Sequence, residues 1–220
     1  DIFGTTVAID GEGRTWVFWS AQAGGNWDIF ARSREGEAWS DPIRVTSDPG
    51  PDIHHAAATD ASGRVWLAWQ GFRGPQSDIF AVRQDGKRFG EPVRVGEGPA
   101  NEWTPAIAAS TDGRVAVAWD TYERGDYDVA IRIWRGGNWT APRIAAGTRR
   151  NECRPSIAFD KRGRLWIAYE DGPEAWGKDF GPYDESPIRV PLYRERKVGI
   201  KVLDREVFLR PDADPNPAIS

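Results

Sequence analysis

A repeat of 50 residues runs through most of the 220-residue chain and constrains its fold more than any other feature. A Gly-Arg pair recurs at this interval at 13–14, 63–64, 113–114 and 163–164. Five residues after each arginine comes an aromatic residue, at Trp19, Trp69, Trp119 and Tyr169. A fixed period of about 20 to 50 residues is typical of solenoids, propellers and other repeat arrays. The chain is therefore expected to consist of one structural unit repeated four times.

Each repeat has the pattern of four short strands, A to D, and the second repeat shows it most clearly. Its predicted strands are Ala56–Thr59, Arg64–Trp69, Asp78–Arg83 and Phe89–Val95. Strand B is apolar on both faces, so other sheets must cover both of its sides. Sheets that stack face to face around a common axis meet this need, which favours a β-propeller. A β-sandwich and a β-solenoid are the alternatives.

We therefore predict an all-β fold, a β-propeller segment of four consecutive four-stranded blades. The expected blades are residues 6–53, 54–103, 104–153 and 154–210, with a fifth blade beginning at 214–220. Blade four departs from the pattern through a long insertion, Glu170–Pro191, with its outer strands displaced to Val198–Val202 and Glu206–Leu209. An open array exposes strand edges, and the sequence has no methionine. We expect an excerpt of a six- or seven-bladed propeller, whose remaining blades are partners of this segment.

Charge and composition argue against several kinds of function. The formal net charge is -4 and the pI about 5.4, which does not suit a groove for nucleic acid. No apolar run reaches the roughly 20 residues that a membrane helix needs. A single cysteine, Cys153, excludes an internal disulfide and a cysteine-rich metal site, and we expect it to be buried.

The segment Ser33–Val45 resembles the Asp-box turn of sialidase-like propellers. The spacing from glycine to aromatic residue is kept in three repeats, but the expected aspartate is replaced by Arg34, Gln84 and Trp134, so the motif is degenerate. The repeat is also similar to those of the bacterial family that includes the TolB propeller. The resemblance implies a bacterial protein that is secreted, either periplasmic or extracellular. Sialidases of this fold use an arginine triad, a Tyr nucleophile with a Glu partner and an Asp acid, none of which can be assigned here.

In propellers of this kind, ligands bind where the loops from strand D to strand A and from strand B to strand C meet, here called the loop face. Three carboxylates share one repeat position in these loops, Asp52, Glu102 and Glu152, with Asn101 and Asn151 before two of them. We expect them to converge near the central channel and to bind Ca²⁺ or sugar hydroxyls. Alternatively, they cap strand A and bond the loop backbone, pair with neighbouring arginines such as Arg150, or act in general acid–base catalysis.

Other candidate ligand-binding residues surround these carboxylates. Trp103 breaks the repeat, where Ile53 and Cys153 stand in other blades, and is either a platform for stacking sugars or a loop anchor. Asp120 and Glu170 follow strand B and are expected at the same rim. Trp176, in the insertion, is a candidate lid together with Lys178 and Asp179. The adjacent His54 and His55 are expected to be structural, and the repeated arginines at 14, 64, 114 and 164 to bond across blades.

Three functions fit these residues. The leading hypothesis is a non-catalytic, glycan-binding module within a larger exported bacterial protein, because the rim is acidic and aromatic and no enzyme signature is found. The alternatives are a scaffold that binds a protein on the loop face and a part of a sialidase-like glycoside hydrolase whose catalytic residues lie outside this segment. No cofactor is required, and Ca²⁺ is the one candidate ion.

Overall fold

The structure is a computed structural model that describes residues 1–174 and 197–204, and the backbone alone at 176–177 and 181–182. These parts of the chain contain strands and turns and no helix, so they hold no helix able to cross a membrane. Blade 1 contains β1 (Ile2–Ile9), β2 (Thr15–Ala23), β3 (Asn26–Glu35), β4 (Ala38–Trp39) and β5 (Ile43–Arg44). Blade 2 contains β6 (Asp52–Thr59), β7 (Val65–Arg73), β8 (Gln76–Asp85), β9 (Arg88–Phe89) and β10 (Val93–Arg94).

The next two blades complete the described sheets. Blade 3 contains β11 (Glu102–Ala109), β12 (Val115–Thr121), β13 (Asp128–Arg135), β14 (Asn138–Trp139) and β15 (Arg143–Ala146). Blade 4 contains β16 (Asn151–Phe159), β17 (Leu165–Gly172) and β20 (Lys197–Leu203), while β18 (Trp176–Gly177) pairs with β19 (Gly181–Pro182).

Blades 1 to 3 are antiparallel meanders in which the fourth strand is split into two short pieces. In blade 1 the order is β1-β2-β3-β4, and β5 also pairs with β3 further along. The innermost strands β1, β6, β11 and β16 pack against one another in sequence, as blades arranged around an axis require. The all-β propeller predicted from the repeat is therefore confirmed.

Two details of the strands differ from the prediction. The innermost strand of blade 2 begins at Asp52 rather than Ala56, because a bulge lets the strand continue past the two histidines. Residues 198–202 were expected in an outer strand, but β20 pairs directly with β17 and is the third strand of blade 4. The segment Glu206–Leu209, expected as another outer strand, and the fifth blade at 214–220 lie outside the described residues.

The hydrophobic core lies between blades, which explains why strand B is apolar on both faces. Between blades 1 and 2, Phe18 and Ile29 pack with Leu67 and Trp69. The other face of blade 2 packs on blade 3 in the same way, and blade 3 packs on blade 4. Complete burial of one such side chain stabilises the fold by about 1.5–3 kcal/mol. No blade could bury both of its faces alone.

An aspartate organises the turn from strand A to strand B in three blades. The Asp10 carboxylate accepts hydrogen bonds from the amides of Glu12 and Arg14, both at 3.0 Å, and from the Trp16 indole at 2.8 Å. Asp60 and Asp160 repeat these bonds within their own turns. The sequence resemblance placed such an aspartate between strands C and D, where the turns instead use a glycine with positive φ, Gly36, Gly86 and Gly136.

The expectation that the repeated arginines bond across blades holds for Arg114, which donates to the Gly163 carbonyl at 2.6 Å. It is wrong for Arg14 and Arg164, whose guanidinium groups bind Asp10 and Asp160 in their own turns, both at 2.7 Å. Asp10 and Asp160 lie four residues before these two arginines, within reach of their guanidinium groups. The expectation is also wrong for Arg64, whose guanidinium group forms no ion pair or hydrogen bond within the residues that the structure describes. The crossing bond from blade 2 to blade 1 comes instead from the Gln84 amide, which donates to Asp10 at 3.0 Å.

Candidate functional site

Each innermost strand has a bulge near its loop-face end, at one position of the repeat. The left-handed residues there are Gly4 (φ 60), His54 (φ 49), Thr104 (φ 53) and Arg154 (φ 51). A residue with a side chain in this region costs of order 1–3 kcal/mol, and such strain is concentrated at functional sites. Bulges also change the direction in which a strand presents its side chains. The bulges therefore mark the loop-face ends of the innermost strands as the candidate site.

The carboxylates Glu102 and Glu152 are buried, and each accepts a hydrogen bond from the loop before it. Glu102 accepts hydrogen bonds from the amides of Ile79 at 3.3 Å and Gly98 at 3.4 Å. Glu152 accepts from the Thr148 amide at 3.2 Å and the Thr148 hydroxyl at 2.6 Å. These contacts match the alternative in which the carboxylates bond loop backbone and hold the start of strand A.

Asp52 is equally buried but bonds side chains rather than backbone. The Trp69 indole donates to its carboxylate at 2.8 Å, and the Arg73 guanidinium does so at 3.0 Å. Each of the three carboxylates thus has partners of its own, and no described contact joins one of them to another. Within residues 1–174 and 197–204, no group of three or more His, Cys, Asp or Glu side chains is placed to hold a metal ion. Calcium binding stays a prediction, with no ligand set in the described part.

Burial changes the acidity of these carboxyl groups. It raises the pKa of Glu102 to about 7, against the hydrogen bonds from Ile79 and Gly98, and the nearby Asp78 carboxylate adds to the rise. Burial also raises the pKa of Glu152, despite its bonds to Thr148. The pKa of Asp52 is raised by burial and held back by Arg73. All three groups therefore hold a proton more tightly than exposed carboxyl groups do.

Asp120 and Glu170 meet at Arg154, the strained residue of blade 4. The Arg154 amide donates to the Asp120 carboxylate at 3.1 Å, and its guanidinium pairs with Glu170 at 2.9 Å. In the β11–β12 ladder, Trp103 stands opposite Asp120. A row of polar groups, Asp120, Arg154 and Glu170, thus crosses from blade 3 to blade 4 and begins opposite Trp103.

The remaining polar candidates fasten neighbouring loops. Asn101 accepts a hydrogen bond from the Ser77 amide at 2.8 Å. Asn151 donates to the Pro173 carbonyl at 2.7 Å, at the beginning of the blade-four insertion. Arg150 pairs with Asp171 at 2.5 Å. These contacts fix the loops that border the candidate site.

Trp103 belongs to an aromatic cluster that sequence reasoning found only in part. Its ring centroid lies 5.6 Å from that of Tyr127, which in turn lies 4.9 Å from that of Tyr122. Tyr122 is 44% exposed, and it was missed because it follows strand B at a position where the repeat holds no constant residue. A similar cluster lies between blades 1 and 2, where the ring centroid of Phe3 is 6.2 Å from that of Trp27 and 5.1 Å from that of His54.

Of the other predicted residues, some are packed inside the fold and some lie outside the described residues. Cys153 is fully buried, as expected. His55 lies 3.3 Å from the Ser20 hydroxyl, and burial lowers its pKa. The backbone of Trp176 lies in β18, while its side chain, like Lys178 and Asp179, is outside the described residues. The lid remains a prediction.

Comparisons with known proteins agree with the architecture. No family model and no curated protein sequence matches the chain. A Hadza microbial sialidase, Hz136, is similar in structure at 12% identity, with a TM-score of 0.62 over 76% of this chain and 42% of that chain. A Dyadobacter fermentans protein of unknown function follows, at 12% identity and a TM-score of 0.60 over 78% and 62%.

A polysaccharide lyase of the PL25 ulvan lyase family is similar at 16% identity, with a TM-score of 0.57 over 76% of this chain and 51% of that chain. At these identities the likeness concerns the fold. The chain is built of propeller blades. It spans between 42% and 62% of the length of these three structures.

Proposed function

We propose that this chain is a non-catalytic, glycan-binding part of a propeller and that the ligand binds on the loop face of blades 3 and 4. The observation that carries this proposal is the half-exposed aromatic cluster of Trp103, Tyr122 and Tyr127. Aromatic faces offer large apolar contact area at little conformational cost, and the tyrosine hydroxyls can bond a wet ligand. The names of two similar structures, a sialidase and an ulvan lyase, support a carbohydrate ligand.

The row of polar groups beside the cluster suits sugar hydroxyls. Arg154 supplies donors, and Glu170 supplies acceptors in a pair that is about one-third exposed on both sides. Ligand sites commonly combine an apolar lining with a few fixed polar groups. Glu102 and Glu152, by contrast, are buried and already bonded, which suits a site without general acid–base chemistry.

Substitution of Trp103 by the residue of another blade tests this proposal. Trp103→Ile places the residue found at Ile53 into blade 3 and removes the stacking ring. We expect affinity for ulvan or 3′-sialyllactose to fall about tenfold or more, which corresponds to about 1.4 kcal/mol. Trp39→Ala is the control, because Trp39 is 46% exposed in the short strand β4, away from the loop face. Unchanged binding by Trp103→Ile would leave the protein-scaffold alternative.

The hydrolase alternative has one observation in its favour, the raised pKa values of Glu102 and Glu152. A general acid must keep its proton near neutral pH. In that case the complete propeller would cleave a chromogenic glycoside, and Glu152→Gln would abolish the turnover. The binding proposal expects no turnover by the complete propeller, with or without Glu152→Gln. It also expects the parent protein in the periplasm or outside the cell, where cell fractionation would find it.

A further inference from the structure

A second aromatic site lies at the opposite end of blades 2 and 3, where the turns between strands A and B and between strands C and D meet. It is a cleft of about 320 Å³, here called the Trp cleft, and it includes Gln84 and Asp85 at the end of β8. Its lining also includes the side chains of Trp66, Trp134, Trp139, Arg64, Arg83 and Glu91. None of them belongs to the loop-face site.

Three indole rings form the apolar part of the Trp cleft. The centroid of Trp66 lies 5.3 Å from Trp134 and 5.9 Å from Trp139, and the latter two are 5.7 Å apart. Trp66 is buried and donates to Asp60 at 2.7 Å. Trp134 and Trp139 are half-buried, and neither indole N–H has a hydrogen-bond partner among the residues that the structure describes.

Four charged side chains line the same cleft without a partner of opposite charge. Arg83 lies over the rings of Trp66 and Trp134, at 5.6 and 5.8 Å from their centroids. Over residues 1–174 and 197–204, neither it nor the Arg64, Asp85 and Glu91 side chains form an ion pair or a side-chain hydrogen bond. The cleft therefore presents two guanidinium groups and two carboxylates that remain available to a ligand.

The equivalent junction between blades 1 and 2 shows what such a junction looks like when its polar groups bond one another. There, Arg14 pairs with Asp10 at 2.7 Å and with Glu12 at 2.9 Å. Gln84 is buried and bonds both Asp10, at 3.0 Å, and the Val65 amide, at 2.9 Å. Trp134 replaces Gln84 in the next blade. It gives up these bonds and places a half-exposed ring at the junction instead.

We propose that the Trp cleft is a second carbohydrate-binding site and that its ligand is a neutral oligosaccharide. Half-exposed indoles suit the apolar face of a sugar ring, and their free N–H groups suit its hydroxyls. The two positive and two negative side chains leave the lining without net charge. Such a lining favours a ligand with many hydroxyl donors and acceptors over an ionic polymer. The site does not depend on the loop-face proposal.

The test uses the full chain with Trp103→Ile as background, so that binding at the loop face is already weakened. Xylohexaose, cellohexaose and arabinohexaose are titrated by calorimetry, at low and at high salt. We expect one of these neutral hexasaccharides to bind with the same affinity at both salt concentrations. Trp134→Gln, which restores the residue of blade 2, should then weaken the affinity about tenfold or more.

Two further variants guard against a loss of folding. Arg83→Ala removes an exposed cation without changing the core and should also weaken binding. Trp39→Phe, which places the residue of Phe89 into blade 1, should have no effect. The proposal is overturned if no neutral hexasaccharide binds, or if the folded Trp134→Gln and Arg83→Ala variants bind as tightly as the Trp103→Ile chain that carries neither change. It is also overturned if ulvan is the sole ligand and high salt abolishes ulvan binding. If a hexasaccharide binds the unsubstituted chain but no longer binds once Trp103→Ile is introduced, the result supports the loop-face proposal and overturns this one.

Discussion

The amide of Gly11 donates a hydrogen bond to the carbonyl of Gly63 at 2.7 Å, and this contact joins the A–B turns of blades 1 and 2. The two backbones approach so closely that a Cβ on Gly63 would lie 2.5 Å from the α-carbon of Gly11. The backbone of one blade therefore packs directly on that of the next at this end of the sheets.

This contact predicts unequal costs for two otherwise matched substitutions. Gly13 and Gly63 occupy the same repeat position with φ of 80° and 79°, so alanine strains the turn equally at both. A Cβ on Gly13 meets nothing within 4 Å, whereas one on Gly63 forces the blades apart. We expect Gly63→Ala to lower the free energy of unfolding by about 1–3 kcal/mol more than Gly13→Ala. Urea unfolding of both variants measures the difference, and equal losses would contradict the contact.

Asp10 should be the most costly of the turn aspartates to remove. Asp10→Ala leaves the guanidinium of Arg14 buried with only the exposed Glu12 as partner, and it cuts the crossing bond from Gln84. Loss of one partner from a buried pair costs about 3 kcal/mol or more. Asp160→Ala, in a turn where the arginine is one-third exposed, should cost less. Thermal unfolding compares the two, and a larger loss for Asp160→Ala would show that burial does not set the cost.

Asp10 also predicts a response to acid. Burial alone would raise its pKa, but hydrogen bonds from Trp16, Gln84 and Arg14 outweigh this and lower the pKa well below its ordinary value. The stabilising contribution is therefore present above an ordinary aspartate pKa and is lost as the pH falls further. The difference in unfolding free energy between the parent and Asp10→Asn should shrink in acid. A difference that stays constant down to the lowest measurable pH would contradict this assignment.

The repeat predicted the blades because the equivalent core residues recur with it. Trp69 and Trp119 stand 50 positions apart and are both buried between blades. The sequence pattern could not predict the bulge at His54, because a bulge adds a residue to one strand without changing the period. Nor could it predict that Asp52, Glu102 and Glu152 bond different partners, since alignment shows which residues share a position and not what surrounds each of them.

The repeat pattern also could not predict the effect of positions at which a single blade departs from the others. Arg44 and Arg94 pair with the buried Asp28 and Asp78 at 2.5 and 2.7 Å. In blade 3 the corresponding residue is Ile144, and Arg124 takes over the pairing with Asp128 from a different loop at 2.6 Å. The buried aspartate keeps an arginine partner, but that arginine comes from a different position of the repeat, which an alignment of the repeats does not show. The same holds for Trp134, whose contact with Trp66 requires two different blades.

From the raised pKa of Glu102 we expect the free energy of unfolding to fall as the pH rises towards and through neutrality. Its pKa is about 7 in the folded protein, against an ordinary value of 4.5, so the folded state binds the proton more tightly than the unfolded state does. Between these values folding takes up a proton, and the contribution of Glu102 to stability is full below pH 4.5 and declines as the pH approaches and passes 7.

Glu102→Gln removes the ionisation and keeps an oxygen to accept hydrogen bonds from the amides of Ile79 and Gly98. We expect the variant to gain up to about 3 kcal/mol relative to the parent between pH 4 and pH 8, at about 1.4 kcal/mol per tenfold difference in proton affinity. Urea unfolding of both proteins across this range measures the gain, with Glu37→Gln, at an exposed carboxylate, as the control. A parent and a Glu102→Gln variant with parallel pH profiles would show that the buried carboxyl group titrates normally.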